Sequence, residues 1–418
     1  MNRLSKRQAH RLLRRTALRA ARLLLRVRPR PRRRERLRIR ILLQHVNGTG
    51  GTIRTVLNLS GELASDHDVE IVSVHRTSAE PFFPIPPGVR VLFADDGVDS
   101  PGGRLARLPS LLTPIGEATF RRMNLRGDLR LLRVLLGRSP DVLIGTRPSL
   151  NLLVAELAPR GTVTIGQDHM NLGSYHPVVR AEIARSYRRL DALAVLTERS
   201  RADYADALAG SPVRITCIPN ALPELAGGPS RRDAKVLLAA GRLTRQKGFD
   251  LLIRAYEPLA REFPDWTLRV FGSGAHRGAL KRQIAEAGLG ERVVLSPRTP
   301  HLAEEMTRAS VYVLSSRFEG LPLVVIEAMS KALPVVAFDC PTGPAELITN
   351  GVDGLLVPAG NVEELTATLR KVMADEALRH RLGDQARRSS QAYDPPLVAT
   401  RWHDLLTDLT RDRGRDLT

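Results

Sequence analysis

Aromatic side chains are scarce in this chain: Phe, Trp and Tyr make up 4% of 418 residues, against 43% hydrophobic residues in all. Any core must be packed from Leu, Val, Ile and Ala, and the length suits two such cores. Cysteine is scarcer still, with only Cys217 and Cys340. Two thiols so far apart give no disulfide framework and no metal-ligand spacing, and they fit a reducing compartment. No apolar run reaches the ~18 residues that cross a bilayer. Near the N-terminus the longest run, Leu23-Leu24-Leu25, is bounded by Arg22 and Arg26, which makes a poor secretion signal with no apolar h-region. The expected location is cytoplasmic, on the side of the membrane where the chain is made.

Acidic residues are nearly missing from the first forty positions. Glu35 stands alone there against 17 Lys and Arg, so most of the net charge of +20 sits in this arm and the rest is close to neutral. Residues 4–28 read as an amphipathic helix that ends at Pro29 and Pro31. Arg7, Arg11, Arg14, Arg15, Arg19, Arg22 and Arg26 share one face; Leu12, Leu13, Ala17, Ala20, Leu23, Leu24 and Val27 lie mostly on the other. Leu4, Leu18 and Leu25 break the pattern on the basic side. Such a helix suits an anionic membrane surface, here the inner face of the cell membrane. A solvated tail and an organelle transit peptide are the competing readings. Nucleic acid is not expected as a partner, since the arm has no aromatic side chain on which bases could stack.

Beyond the arm, short β-branched runs alternate with helical patterns, which predicts parallel sheets covered by helices on both faces. Strands are expected at 38–46, 69–75, 89–93, 141–145, 162–166 and 190–196 in a first half. A second half would hold 213–218, 235–240, 267–271, 292–295, 310–314, 334–338 and 354–357. The fold class is therefore α/β, with two Rossmann-like doubly wound domains behind a basic helical arm. The expected divisions are 1–36, 37–212, 213–394 and a final helical segment, 395–418, crossing back to the first domain. The Pro/Gly-rich stretch Pro219–Pro229 marks the break.

Four motifs follow expected strands. In HVNGTGGTIRTVLNL, residues 45–59, Gly48, Gly50 and Gly51 occupy a strand–helix turn where backbone could approach a phosphate. The spacing is not that of a dinucleotide fingerprint. In AAGRLTRQKGFDLLI, residues 239–253, Arg242 and Lys247 flank a turn on which two cations could converge on a diphosphate. VFGSG brings Gly272 and Gly274 to a strand end. In SSRFEGLPLVVIEAM, Glu319 lies in a loop with Gly320 and Leu321, and Glu327 lies in the helix expected over 323–330. Two carboxylates so placed could accept hydrogen bonds from several hydroxyls of one ligand. The DHD triplet, Asp66–Asp68, has the shape of a metal-binding motif but sits in an ordinary connection before a strand. No Ser-His-Asp or Cys-His set is readable.

EGLPLVVIEAM, Glu319–Met329, resembles the paired-glutamate element of the retaining GT-B glycosyltransferases of family 4. GRLTRQKG, Gly241–Gly248, resembles that family's phosphate loop, and GPAELITNGVDGLLVPAGNVEEL, residues 343–365, its downstream segment. The likeness is dense over 235–365 and thinner over 38–205. It implies a metal-independent hexosyltransferase with no cofactor beyond a nucleotide-sugar donor, a UDP-sugar first and GDP-mannose second. The implied acceptor is a glycan, a lipid-linked glycan or a cell-envelope polymer. By the same resemblance Arg242 and Lys247 hold the diphosphate and Glu327 the ribose. Glu319 contacts the transferred sugar, and the Gly320–Leu321 backbone its hydroxyls or phosphate. Gly272 lines the donor site, and Gly50 and Gly51 close on the donor from the other half. His169, in IGQDHMNLG, falls where the family often has a histidine beside the donor sugar, with Asp168 as the neighbouring alternative. A nucleotide-sugar epimerase of the same shape and a non-enzymatic membrane- or polyanion-binding scaffold are the rival functions.

Overall fold

The computed structural model describes residues 3–26, 35–76, 78–96 and 102–415. Contacts divide the chain into two compact units, Met1–Ala221 with Pro395–Thr418, and Leu222–Asp394. The expected helix end at Pro29 and Pro31 lies outside the described residues.

In the first unit the strands are β1 (Arg38–Leu43), β2 (Asp68–Arg76), β3 (Arg90–Asp96), β4 (Val142–Gly145), β5 (Val163–Asp168), β6 (Ala192–Val195) and β7 (Arg214–Cys217). Among the described residues they form one parallel sheet in the order β3-β2-β1-β4-β5-β6-β7. The helices are α1 (Arg3–Arg26), α2 (Gly51–Ala64), α3 (Leu125–Leu136), α4 (Pro148–Leu157), α5 (Pro177–Ser186) and α6 (Glu198–Ala207). Side chains alternate across the sheet, so β1 feeds two cores. Ile39, Ile41 and Leu43 face the core that includes residues of α2, whereas Leu42 faces the one that includes residues of α3, α4 and α5.

The second unit holds β8 (Val236–Ala240), β9 (Thr267–Phe271), β10 (Val293–Ser296), β11 (Val311–Leu314), β12 (Val335–Asp339) and β13 (Gly354–Pro358). These also run parallel, in the order β10-β9-β8-β11-β12-β13. Its helices are α7 (Phe249–Glu262), α8 (Arg277–Glu286), α9 (Leu302–Thr307), α10 (Leu323–Ser330), α11 (Pro344–Leu347), α12 (Val362–Ala374) and α13 (Glu376–Ser390). Helices α7 and α12 cover one face with Leu252, Tyr256, Leu259, Leu365 and Leu369. Finally, α14 (Pro395–Arg415) belongs to the first unit and inserts Val398, Trp402, Leu405 and Leu406 into the core beneath α2.

Two sequence expectations change. The strand expected at 213–218 in the second half is β7, which pairs with β6 at the edge of the first sheet. The division therefore falls after Ala221 rather than after residue 212. A four-residue strand carries no local mark of the sheet it will join. The second change concerns the arm. Helix α1 packs on α3 and α4 and is part of the first unit. It buries Leu18, Ala21 and Leu25, and so uses two of the leucines that break its apolar stripe. Arg14 is buried with them; its Nε donates to Leu112 O at 2.8 Å and its Nη1 to Glu182 Oε2 at 2.7 Å. Arg22 pairs with Glu156, which also takes Arg189 and the Ser186 hydroxyl. The regular apolar stripe stays in solvent: Leu12, Leu13, Leu23 and Leu24 are all more than half exposed. No helix among the described residues is long and apolar enough to cross a membrane.

Candidate active site

In a parallel sheet every strand points its carboxyl end to the same edge, and ligands gather there where the strand order reverses. In the second unit that reversal lies between β8 and β11. The loop after β8 carries Arg242 and Lys247, and the loop after β11 carries Glu319. The two loops are joined: Arg317 N donates to Gln246 O at 2.7 Å, and Gln246 Nε2 to Phe318 O at 3.0 Å. Arg317 also makes a bidentate pair with Asp250, at 2.9 and 2.7 Å, which holds that carboxyl below its usual range.

Lys247 Nζ sits 2.5 Å from Glu319 Oε1, and both side chains are largely buried. The same carboxylate oxygen accepts from Ser316 Oγ at 2.5 Å. Glycine makes the turn possible. Gly248 is left-handed at φ 64°, and a side chain there would collide with the Ser315 carbonyl. Gly272 and Gly274, just past β9, pack so closely on the backbone of residues 241–243 that a methyl group at either would overlap it. Their glycine character is thus fixed by loop packing. Arg242 is exposed, with Nη2 donating to Gln246 Oε1 at 3.3 Å.

Helix α10 spans the expected residues and begins after the Gly320-Leu321-Pro322 turn. Gly320 lies against Gly343, which has φ 92° and no room for a side chain. Glu327 is buried in α10. Tyr312, in β11, binds Ala240 through its hydroxyl, and burial together with the charges of Glu327 and Glu319 raises its ionisation far above the usual value. The charges of both carboxylates thus reach the same phenol. Burial and Glu319 likewise push the Cys340 thiol up to about 12, leaving it inert. The structure thus brings together Arg242, Lys247, Glu319, Gly320 and Glu327, with Gly272 and Leu321 as packing residues of the same loops; Leu321 is buried.

In the first unit the strand order reverses between β1 and β4. Gly48, in the β1–α2 loop, packs on the His45 ring and has no space for a side chain, whereas Gly50 and Gly51 face open space. Packing explains only the first; the other two leave the start of α2 bare. His169 follows β5. Its Nε2 is buried without a hydrogen-bond partner, and burial, aided by the charge of Arg147, pushes the imidazole down to about 4. It is neutral at physiological pH. Asp168, the neighbouring candidate, is turned into the unit. Its carboxylate is fully buried, accepts from the Tyr175 and Tyr204 hydroxyls, and is raised to about 6 by burial. It anchors the turn that presents His169.

Two residues at this edge escape the sequence reading. His45 ends up half-buried with Nδ1 unpartnered, lowered by burial and by Arg147. Arg147, in the loop after β4, pairs with Glu117 at 2.6 Å. Their only sequence signal is position, each two residues past a strand flanking the reversal. The DHD aspartates are exposed, and Asp68 lies 3.7 Å from Arg36.

Residues 225–389 match the family described as glycosyl transferases group 1, and residues 50–221 match the glycosyl transferase 4-like domain. The chain belongs to the group 1 glycosyltransferases, of family-4 type and GT-B fold. Among its relatives, an exopolysaccharide phosphotransferase of Streptomyces coelicolor is 35% identical over 87% of this chain, which spans 40% of that protein's length. The amylovoran biosynthesis glycosyltransferase AmsD of Erwinia amylovora is 28% identical over 88% of this chain and 98% of its own. The fold is shared with a single-site mutant of S. aureus TarM, with a TM-score of 0.73, 15% identity, and coverage of 88% of this chain and 99% of that one.

Proposed function

We propose that this protein transfers a hexosyl unit, with retention of anomeric configuration, from a nucleotide sugar to a hydroxyl of a glycan or cell-envelope polymer. The Lys247–Glu319 pair at the β8/β11 reversal carries this reading. A diphosphate arriving at the loop would draw on Lys247 and the exposed Arg242. It would draw Lys247 towards the phosphates, with the Glu319 carboxylate placed to stabilise positive charge developing on the sugar. Glu327, from α10, would take the ribose hydroxyls, and the departing diphosphate needs no metal where two cations meet it. Gly50, Gly51 and the neutral His169 are assigned to the sugar. The acceptor class follows the names of the exopolysaccharide and amylovoran relatives, and a UDP-sugar is the first choice of donor. We assign the exposed leucines of α1, beside Arg11, Arg15 and Arg19, to a membrane surface, which would make the protein peripheral.

A thermal-shift panel of UDP, GDP, ADP and their sugars tests the donor, because a ligand of the folded state alone raises apparent stability. Lys247→Ala should weaken binding of the stabilising diphosphate by about tenfold or more, as expected for loss of a charge-assisted contact. Unchanged affinity would remove Lys247 from its role. Proton NMR of the product's anomeric signal reads retention directly, and conversion of donor without acceptor would instead favour the epimerase.

A further inference from the structure

Between the N-terminal half of α1 and the body of the first unit lies an open cleft enclosing about 60 Å³. Arg7, His10, Arg11 and Arg14 line it from the helix; Pro114, Ile115, Gly116, His176, Val178 and Glu182 line it from the other side. Glu182 is the one acid of this lining, and it is already engaged by Arg14 and by Arg185 at 2.5 Å. Arg7 and Arg11 are exposed and form no ion pair among the described residues. Arg14 is 3% exposed, yet its Nη2 has no hydrogen-bond partner. Burying an arginine without satisfying its fork is unfavourable, and burial lowers its ionisation despite Glu182. The lining is thus a cationic cradle with donor capacity to spare, which is what a phosphate oxygen needs.

The position of the cradle narrows the ligand. Leu12 and Leu13 leave the same helix turns on the opposite, solvent side, exposed by 67% and 56%. A helix lying at a bilayer surface would place these leucines among acyl chains and its arginines at headgroup depth. We propose that the cavity binds the phosphate of an anionic lipid headgroup; this rests on the reading that α1 lies on a membrane. Glu117, next to the cavity residue Gly116, pairs with Arg147, whose charge reaches His45 and His169. The seat is therefore one loop away from the carboxyl edge of the first sheet.

The test uses the full chain and monomeric short-chain lipids. Titration calorimetry with dihexanoyl phosphatidic acid should show saturable binding, with dihexanoyl phosphatidylcholine and inorganic phosphate both weaker. Arg7→Ala with Arg11→Ala, both at exposed positions, should lower the affinity about ten- to thirtyfold, from roughly tenfold or less per cation. No binding, or binding unchanged by the double variant, overturns the proposal. Inorganic phosphate binding as tightly as the lipid overturns the lipid assignment. Sedimentation with phosphatidylglycerol vesicles separates this idea from the one beneath it. Replacing Leu12, Leu13, Leu23 and Leu24 by Ser should abolish vesicle binding and spare the short-chain lipid. Wild-type vesicle binding without short-chain binding sinks the cavity alone; the reverse sinks the membrane reading alone.

Discussion

At the scale of single residues, both units present groups whose ionisation is set by burial. Asp168 is the sharpest case. Its carboxyl is raised from 3.8 to about 6 in the folded protein, so folding takes up a proton between those values. The stability this group contributes is full below about pH 4 and is lost as pH rises through about 6. Asp168→Asn removes the titration and leaves a group that can still bond both tyrosines. Unfolding free energies of wild type and variant, measured at pH 4 and pH 7, should therefore diverge. Relative to the variant, the wild type should gain up to about 3 kcal/mol at the lower pH, on the scale of 1.36 kcal/mol per unit. Parallel profiles would show that Asp168 ionises normally and that its tyrosine contacts are not buried bonds.

Among the elements, α1 is the one whose sequence shows two faces but not which of them the body takes. The helical stripe of Leu12, Leu23, Leu13 and Leu24 is its apolar face by periodicity, the face expected at a membrane surface. The body binds the other side instead, because Glu182 and Glu156 wait there for Arg14 and Arg22. Removing one partner of a buried pair strands the other and costs about 3–5 kcal/mol. Glu182→Ala should therefore loosen α1 rather than unfold the unit. Trypsin, which cuts after arginine, should cleave within residues 3–26 markedly faster in this variant, with the melting temperature of the body little changed. Equal cleavage rates would mean that the leucine contacts alone hold the helix. The loops after β8 and β11 show the opposite relation between sequence and structure. Their glycines and charged residues announce a tight, cationic turn locally, and the fold adds only the stitching through Gln246 and Arg317.

For the whole molecule, the first unit is built from two separated stretches of chain, since α14 completes its core. Trp402 is 2% exposed. Trp402→Ala should destabilise that unit by about 3–5 kcal/mol, the usual cost of deleting a buried aromatic. A denaturant titration should then resolve an early transition from the first unit, leaving the Leu222–Asp394 unit unmoved. A single shared transition, shifted as a whole, would mean that the units unfold together.

The sequence by itself determined the α/β class, every strand among the described residues to within a few positions, the α10 boundaries and the turn positions of the second unit's glycine-bearing, charged loops. Those features are written in short-range signals: runs of β-branched residues, glycines at turns, and charges a few positions apart. Tertiary structure decided which sheet β7 joins, which face of α1 is buried, that Asp168 is held inside the unit by Tyr175 and Tyr204, and that His45 and Arg147 stand at the same edge. Each of these depends on a partner tens to hundreds of residues away, and a local pattern holds no record of which partner its exposed edge, spare charge or second face will meet.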